Sequence, residues 1–173
     1  MNKERVIKEK DWRQPRKSAF EWTQDAHKLY ITARLLYWKN FPFQFALLGA
    51  HAIELYLKAF LINKVGKYPN VHFLDAMYRE CTKYDSFFND ESLSSSFLPE
   101  KARKEDLPEL WCNYTEQLRY PESLIGKPLP TKASVYYAIN SAGTCESLDC
   151  IAHFMHQAIL QPPNIPGGRN VID

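Results

Sequence analysis

The sequence is poor in the signatures that usually betray a chemistry. It holds no glycine-rich phosphate loop, no G-x-S-x-G elbow and no C-x-x-C…C-x-x-C pattern. The familiar phosphate-loop and nucleophile arrangements are therefore unsupported. Its four cysteines, Cys81, Cys112, Cys145 and Cys150, form no C-x-x-C pair. The opening MNKERVIKEK has no apolar h-region. Reduced thiols and a cytoplasmic location are the expectation. No apolar run approaches the length needed to span a bilayer, so no membrane partner is expected. There is no internal repeat. A net charge of +2 is too small to argue nucleic-acid binding by itself.

What is present suits one globular domain. The 173 residues are 45% hydrophobic, enough for a core without disulfides or metal. Aromatics are abundant at 14%, and such an excess serves core and interface packing more often than base stacking. The charge is uneven. Residues 1–17 carry seven basic and three acidic side chains, a net of +4 that leaves −2 for the remainder. This arm can touch phosphates, although the ordinary reading is a solvated, frayed terminus. We divide the chain into the arm (1–17), a helical bundle (18–161) and an irregular tail (162–173).

Hydrophobic spacing defines the bundle. A first helix is expected from near Ser18, with Ala19, Trp22, Ala26, Leu29, Ala33 and Leu36 on one face. Phe41-Pro42 breaks it. A second helix, about Phe43–Asn63, is apolar on most of its surface and so should be central. Gly66 and Pro69 mark a turn. A third helix is expected over about His72–Tyr84, with Leu74, Met77, Tyr78 and Cys81 inward. Residues 86–105, containing SLSSSF and EKARKED, read as a long surface loop with room for a helical turn. Asp106-Leu-Pro-Glu109 looks like the start of a fourth helix. A long last helix runs from about Thr131, with a short strand through Val135–Tyr137 as the alternative. The fold class is all-α, an up-and-down bundle of about five helices.

The candidate site lies in LLGAHAIELYLKAFLINKVGKYPNVHFLDAMY, residues 47–78. His51, Glu54 and Lys58 share one stripe of the core helix, and His72 follows the turn. Buried charge needs partners. Glu54 and Lys58 at i, i+4 form either a structural ion pair, the favoured reading, or the wall of a polar pocket. His72 either packs the turn, again favoured, or does acid–base work. Arg119 either complements a helix C-terminus or forks an anion, with Tyr120 beside it. Asp149, His153 and His156 on the last helix offer metal-ligand types, but without an H-E-x-x-H pattern a solvated polar face is the better reading. No metal and no cofactor are expected.

Ala52-Ile-Glu54-Leu-Tyr-Leu57-Lys58-Ala59, the short turn and His72-Phe-Leu74 resemble the HEPN superfamily, as does Arg119-Tyr120-Pro121. The resemblance implies a bundle of four or five helices, a homodimer, and association with RNA. It also implies toxin pairing with nucleotidyltransferase-like partners, or a defence setting. Nuclease members carry Arg, four to six residues, then His. None of His27, His51, His72, His153 and His156 has an Arg five to seven positions before it, and Lys67 before His72 is the nearest imitation. The ribonuclease activity therefore does not carry over, and enzyme function is disfavoured. The resemblance leaves a binding or accessory module for RNA, a nucleotide or a partner protein, with His51, Glu54, Lys58, His72, Arg119 and Tyr120 lining its pocket. Its dimer face would be rich in aromatics such as Trp22, Tyr30 and Tyr37. The alternatives are a degenerate ribonuclease, or a structural adaptor in which the polar groups only satisfy one another.

Overall fold

Helix α1 (Ala19–Trp38) starts where Ser18 and Glu21 close a capping box: the Ser18 hydroxyl accepts from the Glu21 amide, and the Glu21 carboxylate accepts from the Ser18 amide. The computed structural model describes residues 5–98, 101, 111 and 142–160. The expected fourth helix, Arg119, Tyr120, the Val135–Tyr137 alternative and the C-terminal tail lie outside the described residues. α1 ends at a corner in which Asn40 adopts φ 59°, a left-handed conformation that asparagine tolerates well. Pro42 then opens α2 (Pro42–Val65) at its first position, where no amide donor is required.

α2 is the centre of the molecule. Phe45, Ala46, Ile53, Leu57, Phe60 and Leu61 are all fully buried, and burying each large side chain stabilises by about 1.5–3 kcal/mol. Ala26 and Ala33 of α1 are fully buried too, and their small size lets α1 lie close along α2. α2 is also long and apolar enough to meet a length-and-composition test for crossing a bilayer, contrary to the expectation from sequence. Its most apolar window is 78% buried inside the protein, so that apolar surface is core. α2 stops at Gly66, whose φ of 75° provides the left-handed cap.

Two expectations are corrected beyond the turn. Helix α3 covers Leu74–Thr82, so His72 does not open a helix; it sits two residues earlier, outside regular structure and before the cap residue Phe73. Leu74, Met77, Tyr78 and Cys81 face inward as expected. Residues 86–98 are not a surface loop. A 3-10 turn (Ser86–Asn89) and helix α4 (Glu91–Ser95), capped by Asp85 and Asp90, bury Phe88, Leu93, Phe97 and Leu98. The cause is aromatic packing: Tyr78 stacks on Phe97 at 4.5 Å and meets Phe88 edge-on.

Helix α5 (Ala142–Leu160) lies against α1 and α2 and buries Cys145, Leu148, Ile151, Ala152 and Met155. Gly49 of α2 allows it and Trp111 to come close; a Cβ there would lie 2.9 Å from the Trp111 ring. The arm docks on the body from residue 5 onward. Its strand β1 (Trp12–Arg13) pairs antiparallel with β2 (Tyr68–Pro69) in the α2–α3 turn, Trp12 opposite Pro69 and Arg13 opposite Tyr68. The Asn70 amide extends the ladder by donating to the Asp11 carbonyl at 2.7 Å.

Candidate functional site

Two neighbouring turns of α2 supply Glu54 and Lys58, both nearly enclosed, with side chains 3% and 4% exposed. Lys58 Nζ donates to Glu54 Oε1 at 2.8 Å. The same oxygen lies 2.9 Å from His72 Nδ1. An ionised carboxylate is an acceptor only, so Nδ1 carries the proton toward Glu54. The His72 side chain is 47% exposed. The arrangement thus joins a buried carboxylate to solvent through one imidazole, with a buried ammonium holding the carboxylate in place. Tyr68 lies with its ring centroid 5.7 Å from Lys58 Nζ and 5.0 Å from that of Trp22. The Trp22 indole N–H is buried and meets no acceptor among the described residues.

The turn that carries Tyr68 and His72 is held from outside by the arm. Lys67 pairs with Glu9 at 2.9 Å and sits 4.9 Å from the centre of the Trp12 ring. Arg5 lies 4.5 Å from the centre of the Phe73 ring and 3.9 Å from Asp75. Of the residues singled out from sequence, Glu54, Lys58 and His72 therefore come together. His51 lies one turn earlier on α2, half-buried. Tyr68, Trp22 and the clamping arm were not foreseen.

A second polar group spans α1 and α5. Tyr30 donates to Asp149 at 2.9 Å, Arg34 pairs with the same carboxylate at 3.1 Å, and Arg34 also donates to the Cys145 sulfur. Burial works against the Arg34 charge, but the contacts with Cys145 and Asp149 outweigh it and raise its pKa. Burial likewise raises the Cys145 thiol, against the pull of Arg34. Beside this group, Tyr30, Ile31, Arg34, Leu35 and Trp38 line a shallow groove of about 220 Å³.

Asp149, His153 and His156 do not converge. Asp149 is engaged by Tyr30 and Arg34, and His153 pairs with Gln157 at 3.0 Å. Among the described residues, no group of three or more His, Cys, Asp or Glu side chains has metal-binding geometry. His27 Nδ1 lies 3.3 Å from the Tyr56 hydroxyl, which burial pushes up to about 12, and the His27 and His156 rings are 6.0 Å apart.

No curated protein and no solved structure matches this chain. A family model described as the HEPN domain matches residues 19–144, from the first residue of α1 into the start of α5. That span includes the turn carrying His72 and excludes the whole of the arm. With a mostly helical architecture and a match over most of its length, the chain belongs to the HEPN domain family.

Proposed function

We propose that this protein is a HEPN-like binding or accessory module that takes the phosphate of an RNA or nucleotide beside His72 and acts as a homodimer. The observation that carries the reading is the buried Glu54 oxygen shared by Lys58 and the half-exposed His72. A buried ion pair is commonly no more stabilising than apolar residues of the same volume. A pair that also orients a solvent-facing imidazole has a use beyond packing. Charge around it fits an anion: the β1–β2 ladder places Arg13 opposite Tyr68, and Arg16 and Lys17 follow in the chain. The unmatched Trp22 indole N–H is a further donor for a ligand or water. A toxin–antitoxin or defence setting with a nucleotidyltransferase-like partner belongs to the same proposal, as does a cytoplasmic location.

The dimer reading rests on α1. Ile31, Leu35 and Trp38, 46%, 56% and 75% exposed, follow one another at helical spacing, and Phe41 and Phe43 continue the apolar face around the corner. Contiguous apolar surface of this kind marks interaction sites. Trp22 and Tyr37 instead pack on Tyr68 and Phe45, and Tyr30 bonds Asp149.

One observation favours a second reading. A carboxylate that holds the Nδ1–H of a half-exposed histidine is general acid–base geometry. A single set of assays separates the readings. Purified protein is screened by thermal shift against nucleotides and short RNAs, and RNA cleavage is followed in parallel. Binding without cleavage, weakened by His72→Ala and by Arg13→Glu and falling with salt, fits the module. Cleavage abolished by His72→Ala with the fold intact fits the nuclease. No shift with any ligand removes both and leaves the adaptor. In sedimentation, Leu35→Glu should convert a dimer to a monomer; a wild-type monomer refutes the dimer.

A further inference from the structure

We infer that His27 and His156 form a two-imidazole clip for a borderline transition-metal ion, linking α1 to α5. The register between these helices is antiparallel and independently fixed. Arg34 reaches Cys145 and Asp149, Tyr30 reaches Asp149, and His27 reaches His156. Moving back along α1 thus moves forward along α5, and the two imidazoles meet about one turn back on α1 and two turns on along α5 from the Tyr30–Asp149 bond. Their rings are 6.0 Å apart and tilted by 43°. Two imidazole nitrogens each about 2.0–2.1 Å from one ion put the ring centres about 5–6.5 Å apart. The rings therefore already stand at the separation an ion between them requires.

The orientation of His27 fits as well. Its Nδ1 faces the Tyr56 hydroxyl at 3.3 Å, and Tyr56 is only 1% exposed. With Nδ1–H donating to that oxygen, Nε2 is the free ligand nitrogen, the outer partner fixing the tautomer as in established metal sites. Both histidines are exposed, so an ion enters without opening the fold. The nearby carboxylates are occupied, Asp149 by Tyr30 and Arg34, and Asp25 by Lys17 and Lys28. Water completes the coordination. A purely imidazole protein shell suits Cu²⁺, Ni²⁺ and Zn²⁺ and not Mg²⁺ or Ca²⁺, and the first-row order puts copper tightest. The clip is independent of the phosphate-binding reading, because none of Glu54, Lys58, His72, Tyr68 and Trp22 takes part in it.

The test uses tag-free, chelator-treated full-length protein titrated with ZnCl₂ by calorimetry and CuCl₂ by electron paramagnetic resonance. Wild type should take up one ion per chain, raise its melting temperature by about 2–4 °C for each kcal/mol of linkage, and show two nitrogen ligands on copper. His27→Ala and His156→Ala should each lose zinc uptake and one copper nitrogen, while His153→Ala behaves as wild type. Circular dichroism in zinc-free buffer checks that each variant is folded. Uptake that survives His27→Ala, or depends on His153, overturns the clip in favour of a site on α5 alone. Absence of uptake at millimolar zinc overturns it outright.

Discussion

Replacing Lys58 with methionine keeps the length and most of the volume of the side chain and deletes only the ammonium. Glu54 then remains as a carboxylate in a site 3% exposed, stripped of its ammonium and still bonded to the His72 N–H. Two unit charges about 4 Å apart attract by about 4 kcal/mol at the effective dielectric of 20 that suits protein sites, against about 1 kcal/mol in water. Loss of one partner of a buried pair should therefore cost about 3–5 kcal/mol. For a chain of this size that lowers the melting temperature by roughly 6–20 °C. Thermal and urea unfolding followed by circular dichroism measure it. The double variant Glu54→Leu/Lys58→Met should recover most of the loss, since neither charge then needs a partner and the half-exposed His72 nitrogen is rehydrated. It should still bind no phosphate ligand. A loss below about 1 kcal/mol for Lys58→Met, the range of exposed pairs, would refute the premise that this pair is desolvated.

Other outcomes follow from single contacts. Tyr56 has its pKa raised from 10.0 to about 12 by burial and by the neighbouring Tyr30, so the folded state holds the phenolic proton more tightly than the unfolded chain. Its contribution is complete below pH 10 and is lost as pH rises toward 12, roughly 2–3 kcal/mol in all. Melting temperature followed from about pH 8 to about pH 11 should fall less steeply in Tyr56→Phe than in wild type; equal slopes would exclude Tyr56 as a source of the alkaline loss. Gly49→Ala gains helix propensity but drives a methyl to 2.9 Å from Trp111, so a net destabilisation of about 1–2 kcal/mol is expected in urea titrations, and a stabilised variant would show that the Trp111 ring yields freely. Trp12→Ala removes the ring beside Lys67 and should speed tryptic cleavage after Arg13 while moving the melting temperature by only a few degrees; unchanged cleavage would mean that the arm is held elsewhere.

Much of the helical frame was legible because it obeys local rules. Ala26 and Ala33 announced the buried face of α1, and the unbroken apolar surface of α2 announced its central place. The start of α3 was misjudged by two residues because Phe73, a side chain with no capping oxygen, occupies the cap. The serines of residues 92–96 read as a loop, yet Phe88 and Phe97 are drawn inward by Tyr78, a tertiary effect with no local signature. Of the site, Glu54, Lys58 and His72 could be named because their types are out of place in a core helix and its turn. Tyr68 could not, since two-residue strands have no periodicity to read. Neither could the pairing of Arg34 with Asp149, which depends on how two distant helices slide past one another. Composition did mislead on bilayer length, because the apolar window of α2 reaches it with Glu54 and Lys58 included.

The β1–β2 ladder also fixes an order of events during synthesis. Trp12 leaves the ribosome before α1, but its partner Pro69 is made only after the whole α1–α2 hairpin. Until then the arm has nothing to pair with. The arm therefore cannot clamp the turn bearing Tyr68 and His72 until that hairpin has been made, and its basic segment waits unpaired meanwhile. Any anion that engages the arm early competes with the closing of the ladder, so pairing of residues 12–13 couples the basic segment to the completion of the site.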